Sequence, residues 1–264
     1  MKQFIITILN VFLFLASCGN NVSNSESGSS DGEKVPVTYE TAFQQAYGPR
    51  VNATPDTLAL GYYWGMTKSA TTAHVKSLAQ NKKVFYKNYK GYMYKMPLTH
   101  YDEAGNTTEN YLFRISTEHY KDTLKIMNLW LKGSDNNHSG YAFTTEYHNL
   151  TIEDLYKEFG PIFEAKGYLC EAIDPEMTIS SDSKYGLPEA KWKGTEYRFV
   201  KGNTLIRLWK GQEWYSDFCI TYYDMSVVYK EQQDIAAKEA AAAKKAAEEN
   251  AAREEQKKDY LRDF

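Results

Sequence analysis

Tyr92-Met93-Tyr94-Lys95-Met96-Pro97-Leu98 puts Tyr92, Tyr94, Met96 and Leu98 on one side of an extended chain, because successive side chains of a strand point to opposite faces. Tyr111, Phe113 and Ile115 repeat the alternation, and Leu124, Ile126 and Trp130 supply a third row. Gly105-Asn106 marks a hairpin turn between the first two rows, so the three runs predict an antiparallel meander. Just upstream, Gly65-Met66-Thr67 opens a helical stretch that reaches Leu78, with the Thr67 hydroxyl placed to accept an orphan backbone N–H as N-cap. A further run from Tyr141 to Tyr147 predicts an edge strand.

The order then repeats. Thr151-Ile152-Glu153-Asp154 matches a capping box, and Ile152, Leu155, Tyr156 and Phe159 form a helical stripe that Gly160-Pro161 is expected to interrupt. Strand-like runs follow at Trp192 to Val200, Thr204 to Trp209 and Tyr215 to Tyr223, with turns at Lys201-Gly202-Asn203 and Lys210-Gly211-Gln212. Leu129-Trp130-Leu131-Lys132-Gly133 is echoed by Leu208-Trp209-Lys210-Gly211. The expected fold is therefore α+β, with two tandem helix-plus-antiparallel-meander units at 67–150 and 151–229. Segment 37–66 leads into them and carries a short amphipathic helix from Tyr39 to Tyr47, ended by Gly48-Pro49.

Residues 230–264 form a separate element rich in Ala, Lys and Glu. Asp234 with Lys238, Glu249 with Arg253 and Glu254 with Lys258 stand at i, i+4 in the favourable orientation, which predicts one long helix from Lys230 to Arg262, about 50 Å in length. It lacks the Leu or Ile seam of a strong coiled coil, so a spacer or a weakly docked arm is expected. Its tip, Tyr260, Leu261 and Phe264, is apolar and is either a frayed end, a contact with the body or a partner contact.

At the other end, Lys2 precedes an apolar run from Phe4 to Leu15 that is too short to span a bilayer, which needs ~20 residues. The run closes on Leu15-Ala16-Ser17-Cys18, which resembles the lipobox of bacterial lipoproteins. The resemblance implies that 1–17 is a signal peptide, that the mature chain starts at an acylated Cys18, and that a membrane is its first partner. Several acyl chains anchor stably, since each buried methylene contributes ~0.8 kcal/mol. Gly19 rather than Asp after the cysteine resembles lipoproteins sent to the outer membrane, and the lack of acidic residues in Gly19 to Ser23 points to the periplasmic face rather than the cell surface. Residues 18–36 read as a flexible tether.

Gly65-Met66-Thr67 with Val75 and Leu78 resembles the helix opening of the small outer-membrane assembly lipoproteins of the SmpA/OmlA type. Their fold, a helical layer on a three-stranded antiparallel sheet, is duplicated in the β-lactamase inhibitor protein. The match departs from the family by about one helical turn, through extra residues between Thr67 and Val75, and by the missing glycine after the helix. It implies a fold and a compartment and carries neither a partner nor a binding residue across; an envelope protein of unknown identity is the expected partner on the strength of the anchor, the tether, the repeated units and the missing catalytic set.

Composition narrows the function classes. The net charge of −3 argues against a nucleic-acid partner, and a 15% aromatic content with 22 Tyr favours strands. Cys170 and Cys219 either pair as a disulfide or stay as two buried thiols. No spacing supports a metal site or cofactor, and His74, His100, His119, His138 and His148 belong to no nucleophile motif. His100-Tyr101-Asp102-Glu103 is the nearest approach to an acid/base cluster and falls at a hairpin end, where solvated polar residues are expected. The expected function is that of a non-catalytic envelope lipoprotein acting as a protein-binding or assembly module. The alternative is a glycan-binding lipoprotein that stacks sugars on Tyr92/Tyr94, Tyr222/Tyr223, Trp192, Trp209 and Trp214. Thr57 in Asp56-Thr57-Leu58 and Thr123 in Asp122-Thr123-Leu124 are candidates for O-glycosylation, Thr57 being the better placed because it follows Pro55 in a loop-like segment.

Overall fold

Eight strands join into one antiparallel sheet: β1 (Phe85–Lys87), β2 (Gly91–Asp102), β3 (Gly105–Tyr120), β4 (Thr123–Ser134), β5 (Leu169–Ile173), β6 (Glu196–Lys201), β7 (Thr204–Lys210) and β8 (Phe218–Asp224). Across the sheet the order is β1-β2-β3-β4-β8-β7-β6-β5. The computed structural model describes residues 37–50, 56–88, 91–102, 105–134, 150–173, 187, 196–210 and 218–262, all within a single compact unit. The leader, the tether and the strand expected at Tyr141 to Tyr147 lie outside the described residues.

The two tandem units predicted from the sequence do not form. β4 pairs along its free edge with β8, Met127 facing Tyr222 and Leu129 facing Ile220, so both groups of strands become halves of one sheet. The reason is burial. Leu129 and Ile220 are almost fully buried, and a β4 left as an edge would expose the backbone of its most apolar strand to water.

Among the described residues four α-helices accompany the sheet: α1 (Tyr39–Ala46), α2 (Lys68–Gln80), α3 (Ile152–Ala165) and α4 (Met225–Arg262). The caps form as their sequences predict. Thr67 accepts the Ala70 N–H at 3.1 Å, and Thr151 and Asp154 exchange hydrogen bonds at 3.1 and 2.9 Å in a complete capping box. α3 does not stop at Gly160-Pro161 but runs through both to Ala165. Pro161 costs it a backbone donor, which the burial of Leu155, Gly160 and Phe163 offsets.

The strand period sorts the core onto two faces. On one, Val75 and Leu78 of α2 and Ile152, Leu155 and Phe163 of α3 pack on Leu98, Phe113, Leu129, Phe199, Ile206 and Ile220. On the other, Phe43 and Ala46 of α1 and Met225 and Val228 of α4 pack on Ile126, Val200, Leu205 and Tyr223. β7 is consequently buried on both sides, Ile206 facing one cluster and Leu205 the other. Each such side chain contributes about 1.5–3 kcal/mol on burial, which makes β7 and β8 the most heavily supported part of the sheet. Trp64, fully buried ahead of α2, donates its Nε1–H to Thr204 at 2.8 Å, and Thr204 in turn donates to Asp56 at 2.6 Å. The loop before α2 is thereby tied to the start of β7.

Candidate partner-binding site

α4 leaves the sheet without a connecting loop. Asp224, the last residue of β8, caps it: one carboxylate oxygen accepts the Ser226 hydroxyl at 2.6 Å, the Ser226 N–H at 3.2 Å and the Val227 N–H at 3.4 Å, and the other accepts Arg50. Burial pushes the Asp224 carboxyl up from its ordinary range, against these hydrogen bonds and the Arg50 charge. Met225 to Val228 are buried, so the first turn of the helix belongs to the core.

Two further contacts fix the direction in which the helix departs. Lys125 reaches Glu231 at 3.0 Å, and Asp234 accepts both the Tyr120 hydroxyl and the Lys121 ammonium at 2.5 Å. The hydrogen bond from Lys121 holds Asp234 below the usual carboxylate range. Asp234 therefore serves the β3–β4 turn rather than Lys238. Beyond it, every residue from Ile235 to Arg262 is exposed. The full helix of 38 residues is about 57 Å long, most of it standing clear of the body. Lys244 with Glu248 and Lys245 with Glu249 approach to 3.8 Å along it, and surface pairs of this kind add only tenths of a kcal/mol each.

At the root of this arm lies a cleft of about 490 Å³, lined by Pro49, Arg50, Tyr120, Lys121, Tyr229 and Lys230 among others. Tyr229 meets Tyr47 edge to face at 5.3 Å, which couples the cleft wall to the end of α1. The arrangement offers a mixed apolar and cationic floor beside a long helical surface.

The residues expected to carry function are dispersed. Cys18 and Phe264 lie outside the described residues. Tyr260 and Leu261 are 67% and 61% exposed at the far end of α4. Cys170 on β5 and Cys219 on β8 do not pair: both thiols are free, on strands separated by β6 and β7, three strand spacings of ~4.8 Å apart across the sheet and three residues apart along it, because Cys170 lies level with Tyr222. Burial pushes the Cys219 thiol up to about 12 and that of Cys170 up to about 11. Thr57 is exposed and bridges Tyr63 in a tight loop, whereas Thr123 opens β4 and bridges Thr67.

Among the described residues no acid/base centre assembles from the histidines. His100 Nδ1 sits 2.7 Å from Asp154, and the Tyr101 N–H donates to the same carboxylate at 3.2 Å, so this pair joins β2 to the cap of α3. Burial opposes ionisation of Asp154, but the hydrogen bonds from His100, Thr151 and Tyr101 win and hold it below its ordinary value. His119 contacts Thr71 of α2 at 3.2 Å, and burial lowers its affinity for a proton. His100 faces Thr107, and His119 lies twelve residues further along the same strand, roughly 40 Å away at ~3.4 Å per residue. His138 and the side chain of Asp102 lie outside the described residues. The aromatic rows are largely structural. Trp209, Tyr222 and Tyr223 are buried, and Tyr92 and Tyr94 pack half-buried against the helices; Trp192 and Trp214 lie outside the described residues.

The sequence reading missed the arm's root. Asp224 followed by Met225-Ser226-Val227-Val228 carries an Asp N-cap signal that would have moved the helix start five residues upstream of Lys230. Among the described residues no helix is long and apolar enough to cross a membrane, and no three His, Cys, Asp or Glu gather as metal ligands. No protein-family model, no curated protein and no solved structure matches the chain.

Proposed function

We propose that the chain is an outer-membrane lipoprotein, anchored through Cys18 with its body at the periplasmic face, that acts without catalysis by binding another envelope protein through its arm. The observation that carries this reading is the exposure of α4 on all sides from Ile235 to Arg262, on a root held by Asp224, Glu231 and Asp234. A helix that is polar all round spans solvent between bodies rather than supporting its own core, and beyond Asp234 this one adds nothing to the body's burial. The engagement of His100 in the α3 cap and of His119 against α2 supports a non-catalytic role. The lipobox resemblance of Leu15-Ala16-Ser17-Cys18 supports the anchor.

The test is affinity capture from detergent-solubilised envelopes with the full chain and with a chain ending at Asp234. A reproducible envelope protein retained only by the full chain is expected, together with release of the Cys18→Ala variant from the outer-membrane fraction. Capture of the same proteins by both chains, or unchanged fractionation of the variant, overturns the corresponding half of the proposal.

A further inference from the structure

Between Asp56 and Asp102 the chain has no Asp or Glu and seven lysines, Lys68, Lys76, Lys82, Lys83, Lys87, Lys90 and Lys95, in a protein whose net charge is −3. The described part of the stretch includes α2, β1 and most of β2, and among the described strands β1 is one of the two outer ones of the sheet. All three residues of β1 are exposed, Phe85 at 40% and Tyr86 at 61%. Tyr86 meets Tyr92 of the neighbouring strand at 5.2 Å, half of an aromatic cross-strand row that stops at the sheet edge. Lys82, Lys83 and Lys87 bracket these rings, are exposed, and make no ion pair among the described residues.

We propose that the β1 edge is a docking site for an extended acidic polypeptide segment, which adds as a strand beside Phe85–Lys87 with its carboxylates against Lys82, Lys83 and Lys87. An outer strand presents unpaired backbone N–H and C=O groups, and only another backbone satisfies them in register. Lysines at such an edge repel a second copy of the same edge while admitting a strand of opposite charge, so the same residues that guard β1 select its partner. The opposite outer strand, β5, offers no such match: it carries Glu171 and lies against α1. This proposal deepens the partner-binding reading by adding a second surface, and rests on it only in taking the partner to be a polypeptide.

The test is fluorescence anisotropy with the full chain in detergent and three probes: a labelled alternating Val-Glu octapeptide, the same octapeptide N-methylated at alternate residues, and heparin. Saturable binding of the first is expected, weakened about tenfold by N-methylation and about tenfold by the Lys83→Glu, Lys87→Glu pair. Lys82→Gly should weaken it less, by about threefold, since it removes one charge of three. Peptide addition should also slow amide hydrogen exchange at Phe85 to Lys87, a readout on the unsubstituted protein. Equal affinity for the parent and N-methylated peptides, or tighter binding of heparin lost in the same variants, makes the edge a general anion surface and overturns the proposal. Absence of saturable peptide binding by the folded full chain also overturns it, while leaving arm-dependent capture of a partner untouched.

Discussion

Arg207 holds Glu196 through two hydrogen bonds, Nε to one carboxylate oxygen at 2.5 Å and Nη2 to the other at 2.8 Å, with both side chains fully buried. Arg198 adds its Nε–H at 2.6 Å, and the Arg207 guanidinium lies 4.3 Å over the Trp209 ring. A charged cluster thus sits in the sheet face that α1 and α4 partly cover. Such clusters contribute little net stability when complete and cost heavily when broken, because the remaining charge has no water to turn to.

Glu196→Gln is therefore expected to destabilise the protein by about 3–5 kcal/mol, read as a lowered denaturation midpoint. Burial alone pushes Glu196 up, yet Arg207 and Arg198 outweigh it and hold the carboxyl below its ordinary value of 4.5. The ionised pair therefore stabilises the fold above pH 4.5, and that stability is lost as the pH falls through the lowered folded value. The variant should show a shallower loss of stability below that pH than the parent; an unchanged acid slope would count against Glu196 as its source. Asp154 works in the same direction, so the slope is reduced rather than abolished.

Gly160→Ala tests the passage of α3 through Gly160-Pro161. Helix propensity favours Ala by about 1 kcal/mol, but a Cβ here would stand 2.7 Å from the Tyr156 ring, which is stacked on Tyr197 at 4.1 Å. The expected result is a loss of about 1–2 kcal/mol in the parent, turning into a gain in a Tyr156→Ala background. Thermal denaturation of the four chains of this cycle gives the sign.

Lys82 adopts φ 58, just past the end of α2, where glycine would be unstrained. Lys82→Gly should therefore leave stability unchanged or raise it by up to about 1 kcal/mol in equilibrium unfolding. A destabilised variant would mean that the lysine side chain itself supports the fold.

What was legible in the sequence is what local chemistry decides. Thr67 and Thr151 announce their helices through hydroxyls that need only neighbours three residues away, and the alternations at Tyr92, Tyr111 and Thr204 announce strands. Nothing local specifies that β4 finds β8: the pairing of Leu129 with Ile220 joins residues far apart in the chain and follows from burial of both faces. Met225, Val227 and Val228 resemble a continuing strand, and the helix begins there only because Asp224 is buried against Arg50 and caps it. Glu196, Arg198 and Arg207 look like solvated positions until the register stacks them under one another. The acid-free run from Thr57 to Tyr101 was readable throughout, since charge distribution needs no structure, but net charge averaged it away.

The most direct test is site-specific photo-crosslinking in the native host from Ala246 on the arm, with Ile162, exposed on α3 away from both the arm and the β1 edge, as control position. Ala246 is expected to yield one discrete adduct with another envelope protein, absent when the lipoprotein is kept off the outer membrane by Cys18→Ala. Adducts formed equally from Ala246 and Ile162, or none from the arm in cells where the protein is correctly anchored, would contradict arm-mediated binding.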